Sequence, residues 1–192
     1  MSPTAAGRTR RTRADAQRNI DALVDAAREV FAASGPDAPV REIAARAGVG
    51  LATFYRHFPE RADLITAVFR QDVDACADAA TELRAEHDPF EALVAWVRQL
   101  TGFLGGRRGL AVSVHAGDPA FVQLPAYFRE RFEPTLGALL EAAADAGEIR
   151  GDVDPGELLG AIKRLCSSGD SESNERMVAL VIDGLRFGHD TR

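Results

Sequence analysis

Apolar residues recur at three- and four-residue intervals along nearly the whole chain, and no run of alternating β-branched residues is long enough to make a sheet. That periodicity predicts an all-α protein of about nine helices. Ile20, Leu23, Val24, Ala27, Val30 and Phe31 lie on one face of a first helix, which Gly35 and Pro36 stop. Ahead of it, an Arg-studded segment over residues 1–14 is expected to be a flexible basic arm, whose Arg8, Arg10, Arg11 and Arg13 are candidates for phosphate or minor-groove contact.

Two short helices follow, from about Pro39 to Ala47 and from about Gly50 to His57, with Gly48 breaking between them. After Pro59 a long helix carries Leu64, Ile65, Val68, Phe69, Val73 and Ala77 in one stripe, the natural connection to the rest of the chain. Beyond it, Asp88-Pro89-Phe90-Glu91 and Asp154-Pro155-Gly156-Glu157 each place Asp at N-cap, Pro at N1 and Glu at N3. With breaks at Gly105-Gly106 and Gly147, these signals predict helices near 89–104, 109–117, 125–147, 155–167 and 174–187. Pro134 falls inside the third of these, where an interior proline removes a hydrogen bond and predicts a kink or a restart.

Charge divides along the same line. Residues 1–61 hold 10 Arg against 7 Asp and Glu, a net of +3, whereas residues 62–192 carry a net of −9. A short basic module on an acidic body is what a DNA binder with a separate regulatory domain requires, because only the module must approach phosphate. With the two short helices joined at Gly48, the division predicts a helix-turn-helix domain over 15–61 and a separate helical regulatory domain over 62–192. In the former, Ala44 permits a close crossing, Gly48 takes the turn, Val49 plugs the core, and Ile43, Phe54 and Phe58 anchor it. With Phe54 and Phe58 turned inward, Leu51, Ala52, Thr53, Tyr55, Arg56 and His57 are left to the sides and outer face of the second helix. Hydroxyls, an imidazole, a guanidinium and methyl groups together suit a major groove.

Over residues 20–69 the chain resembles the TetR family of repressors, in FAASG, VREIAARAGVG and TFYRHFPERADLI. The resemblance implies three DNA-binding helices, a linking fourth helix, and a body that binds ligand and dimerises. It further implies that Tyr55, His57 and Arg61 contact phosphate, Arg61 standing where the family commonly has Lys, and that Thr53 contacts phosphate or a base. Arg41, Leu51 and Ala52 would face bases. Two positions depart from the pattern: Gly50 stands where a capping Ser often sits, and Pro39 replaces a capping hydroxyl before the second helix.

The resemblance also implies that the last two helices pair with their symmetry mates as a four-helix bundle. Independently, Leu158, Leu159, Ile162 and Leu165 form a stripe, and the final helix is apolar on more than one side through Val178, Val181, Ile182 and Leu185, which calls for two partners. Trp96, Phe103, Phe121, Tyr127, Phe128 and Phe132 collect between the middle helices, with His115 and Asp118 nearby. They are the candidate lining of a pocket for a small apolar or amphipathic ligand, although aromatic residues at such spacing also serve as plain core.

Other classes find less support. No nucleophile has a plausible base, no phosphate loop is present, and neither Cys76 and Cys166 nor the four His have metal-ligand spacing, so neither an enzyme nor a metal or other cofactor is expected. No stretch approaches the roughly 20 apolar residues of a membrane span, and a cytoplasmic protein is expected. The partners expected are double-stranded DNA, a second copy of the chain and a small ligand. The competing reading with the same fold is a helical protein-interaction adaptor without specific DNA binding.

Overall fold

The computed structural model describes residues 5–105, 121–167 and 171–186, with the side chains of 15–105, 121–167 and 172–186. Every regular element among them is a helix: α1 (Ala5–Ser34), α2 (Val40–Arg46), α3 (Leu51–His57), α4 (Arg61–Glu86), α5 (Pro89–Gly105), α6 (Leu124–Asp145), α7 (Pro155–Cys166) and α8 (Ser171–Gly184). The helix expected over 109–117 lies outside the described residues.

Two expectations bear on single elements. The backbone is helical from Ala5 onward, so most of the segment read as a flexible arm belongs to α1. Its Ala- and Arg-rich composition has no proline after Pro3 and a single glycine, Gly7, and such residues extend a helix that packing has nucleated further along, even without an apolar stripe of their own. Nor does α6 restart at Pro134; it continues through it. Pro134 is exposed, so the carbonyl it leaves without a donor can face water.

The chain divides into two compact units, one ending at Phe69 and the other beginning at Arg70. The division falls inside α4 rather than at its start. Its cause is packing: Leu64 and Val68 of α4 sit in the core of the N-terminal unit with Leu23, Ala27 and Val30 of α1, Ile43 and Ala44 of α2, and Phe54 and Phe58. In the second unit α5 packs against α6, α7 and α8, α6 against α7, and α7 against α8. Trp96, Leu93, Leu100, Phe132, Leu136, Leu139 and Ile162 are almost wholly enclosed there.

Local chemistry sets the helix ends. At α7 the Asp154 carboxylate accepts the Glu157 N–H at 2.8 Å, with Pro155 in the first turn. At α5 a carboxylate from a distant turn takes part, Glu148 accepting the Phe90 N–H at 2.9 Å. No helix among the described residues is long and apolar enough to cross a membrane.

Candidate nucleic-acid interface

The geometry of the N-terminal unit starts from how α2 ends. Gly48 adopts φ +69°, the left-handed conformation that costs glycine little. Its N–H reaches the Ala45 carbonyl at 3.2 Å, while the Val49 N–H reaches that of Ala44 at 3.0 Å. These two bonds are the paired closure of a Schellman motif, and they turn the chain sharply into α3. Val49 packs against the core, and Ala44 is buried where α2 meets α3.

α3 is held by one face. Phe54 is 1% exposed, with Phe58 5.9 Å away ring to ring and Tyr55 edge-on at 5.3 Å. Turning Phe54 inward leaves Leu51, Ala52, Tyr55 and Arg56 exposed, with Thr53 and His57 half-buried at the flanks. Leu51 and Tyr55, at 39% and 53%, are large apolar-bodied side chains one turn apart that face solvent. Arg41 on α2 and Gly50 ahead of α3 are exposed as well. Of the residues expected at DNA, Arg41, Leu51, Ala52, Tyr55 and Arg56 are therefore exposed, and Thr53 and His57 half-buried. Arg61 differs: its two terminal guanidinium nitrogens donate to the carbonyls of Pro36 and Ala38, in the turn between α1 and α2.

Neither Pro39 nor Gly50 supplies a side-chain cap. Gly50 nonetheless starts α3 through its own carbonyl, which accepts the N–H of Thr53 at 2.9 Å and of Phe54 at 3.0 Å.

A model for bacterial regulatory proteins of the tetR family matches residues 23–68, and the C-terminal domain of SbtR-like transcriptional regulators matches residues 88–187, more than half of the chain. This chain belongs to the TetR family. A TetR transcription regulatory protein from Mycobacterium vanbaalenii is 37% identical, over 92% of this chain and 99% of the other, with a TM-score of 0.69. A TetR transcriptional regulator from Streptomyces coelicolor is 35% identical, over 88% and 99%, also at 0.69. RolR, solved in complex with resorcinol, shares the fold at 20% identity, over 89% of each chain, with a TM-score of 0.61. The protein is thus a DNA-binding transcriptional regulator of this family, whose fold is that of regulators rather than of enzymes.

In the body of this TetR-family chain the aromatic residues pack on one another. Phe132 lies 4.5 Å from Phe128, 5.7 Å from Trp96 and 5.9 Å from Phe103, centroid to centroid. Trp96 Nε1 donates to the Cys76 carbonyl at 2.8 Å, and Phe121 is buried. These rings fill space with each other. Tyr127 turns toward α4 instead: its hydroxyl donates to the Asp74 carboxylate at 2.7 Å, beside Arg131 Nε at 2.6 Å, with Arg70 over its ring. Burial first, and the hydrogen bond to Asp74 next, raise the Tyr127 pKa. His115 and Asp118 lie outside the described residues.

Sequence reasoning missed the opening between α5 and α8. There a groove of about 580 Å³ is floored by Val94, Val97, Val178 and Ile182 and rimmed by Arg98, Arg176, Glu172 and Asp183. The signal that could have found it is the charge flanking the apolar stripe of α8. Among the described residues no group of three or more His, Cys, Asp or Glu is placed to hold a metal ion.

The residues expected at a dimer interface divide into two sets. Leu158, Leu159, Ile162, Val178, Ile182 and Leu185 are buried within the single chain, because α5 covers that side of α7 and α8. Leu165 and Val181 are half-buried. The exposed apolar side chains of α8 are Met177 and Leu180, at 44% and 65%.

Proposed function

We propose that the protein is a repressor that binds a palindromic operator as a homodimer and is released from it by a small apolar or amphipathic inducer. The observation that carries this reading is the outward row on α3, where Leu51, Ala52, Tyr55 and Arg56 stand exposed on a helix locked from behind by Phe54. Rigid backing matters because a base-reading helix must meet the groove in one register. In this reading Tyr55 and His57 donate to phosphate, Thr53 to phosphate or a base, and Arg41, Leu51 and Ala52 lie toward base edges.

A two-fold dimer reads two half-sites about 34–36 Å apart, or a multiple of that, so the separation of the two α3 helices sets affinity. Contacts between copies would fall on the outer side of α8, at Met177, Leu180, Val181 and Gly184, with Ala161 and Leu165 of α7 beside them. The groove between α5 and α8 supports a ligand role for the body, having an apolar floor, a charged rim and room for a small molecule. The resorcinol bound to RolR makes a small aromatic compound a sensible first class to screen. A ligand preferring a body conformation with the wrong half-site separation weakens DNA binding, and DNA weakens that ligand by the same factor.

Fluorescence anisotropy with labelled fragments of the DNA beside the gene, at two salt concentrations and with excess nonspecific competitor, tests this. Competitor-resistant binding that falls steeply with salt, and that Tyr55→Phe weakens by about fivefold through loss of one hydrogen bond, is expected. Failure to select any duplex from a randomised library would instead favour the adaptor.

A further inference from the structure

We infer that Arg61 is a positioning residue for DNA binding rather than a phosphate contact: its guanidinium fastens the α1–α2 turn, just ahead of the start of α2 that no side chain caps, to the start of α4.

Three observations carry this. First, the turn is short of donors. Gly35 enters it at φ +83°, the Ala38 N–H closes back on the Gly35 carbonyl at 3.2 Å, and Pro36 and Pro39 have no N–H to offer. Ala38 is 4% exposed, so a carbonyl there depends on a partner from the protein. Secondly, α2 begins without a side-chain cap, and Pro39 removes both halves of a capping box at once. It has no side-chain acceptor for the Glu42 N–H, which closes on the Pro39 carbonyl at 2.9 Å instead, and no N–H for the Glu42 carboxylate to accept. Thirdly, Arg61 reaches back more than 20 residues to put one terminal nitrogen on the Pro36 carbonyl and the other on that of Ala38. Spanning two acceptors needs a planar fork; an ammonium is a point donor.

The consequence for DNA passes through α2. That helix is only seven residues long, carries Arg41, and supplies Ile43 and Ala44 to the core on which α3 rests. A loose start to α2 displaces the floor under α3.

The test compares the full-length wild type with Arg61→Ala, Arg61→Lys, and Arg61→Ala combined with Pro39→Ser. Each is titrated, well below its melting temperature, with the duplex that the wild type selects from a randomised library, across a range of salt. Pro39→Ser puts a hydroxyl three residues ahead of Glu42 and can rebuild the cap, but it restores no charge near DNA. Expected are an affinity loss of about tenfold for Arg61→Ala, an unchanged salt slope, weak recovery with Arg61→Lys and strong recovery with the Pro39→Ser combination. A salt slope reduced by about 0.9, with Arg61→Lys restoring binding and Pro39→Ser not, assigns Arg61 to phosphate and overturns the inference. Unchanged affinity in Arg61→Ala overturns it too, since the fastening would then serve stability alone. The inference rests on operator binding: a wild type that selects no duplex defeats both, whereas variants that misbehave beside a competent wild type defeat this one only.

Discussion

At the scale of single residues, two side-chain environments make definite predictions. Gly48 has nothing within 4 Å of where a Cβ would stand, so Gly48→Ala meets no clash and suffers only from the left-handed backbone at φ +69°. A loss of about 1–2 kcal/mol in chemical denaturation is expected, and Gly48→Asn should cost less. A loss well above 3 kcal/mol would mean that the turn does more than set a backbone angle. Cys76 is the second case. Burial, and then the charge of Asp72, push its thiol from 9.0 up to about 12. Between these values the unfolded chain has released the proton and the folded chain still holds it, so the thiol's contribution is complete below pH 9 and is lost as pH rises toward 12. The slope is about 1.4 kcal/mol per pH unit. Urea unfolding at pH 8 and pH 10.5 should show about 2 kcal/mol more alkaline loss in wild type than in Cys76→Ala; equal losses would show that the thiol titrates normally. Sequence spacing foresaw Gly48 as the break, since glycine between two apolar periods has few other meanings. It was silent on Arg61, because a bond spanning more than 20 residues leaves no periodic trace.

At the scale of elements, periodicity tells which face of a helix is apolar but not what covers it. That is why α2 and α3, with a single apolar face each, were legible down to Ile43 and Phe54. It is also why the rings between α5 and α6 read equally well as pocket lining or as packing. In the structure Phe132 touches three other rings while 0% exposed, so its removal leaves a hole that rigid neighbours cannot fill. Phe132→Ala should cost about 3–5 kcal/mol in equilibrium denaturation. Tyr127→Phe, which only takes a hydroxyl from Asp74, should cost about 1 kcal/mol, because Arg131 still satisfies that carboxylate. Comparable losses in the two variants would contradict the division between a packed cluster and a polar clamp. The helical backbone of the N-terminal stretch of α1 and the continuity of α6 through Pro134 were not legible for one reason: local rules count breakers and stripes, whereas a helix nucleated on either side can extend past them.

At the scale of the whole molecule, the open question for a dimer is which side of α8 is already spent. The sequence showed a helix apolar on two sides and could not assign them, as one side must serve the chain itself. The structure puts Val178, Ile182 and Leu185 against the chain's own helices, and it leaves Leu180 as the most exposed large apolar residue of α8, with Met177 one turn away. Charge placed on the two sides should therefore have opposite consequences. Leu180→Glu, in a position now facing solvent, costs the single chain little but buries a carboxylate if two copies meet there. Ile182→Glu puts the same group into the core and should abolish cooperative folding. Sedimentation velocity with circular dichroism separates these outcomes. Leu180→Glu is expected to keep full helicity and a sharp thermal transition while sedimenting as a monomer, and to bind a duplex with two half-sites no better than one with a single half-site. If Leu180→Glu stays dimeric at micromolar concentration, the two-fold axis lies elsewhere on the body. The second duplex measurement then decides whether that other arrangement still places two α3 helices on one operator.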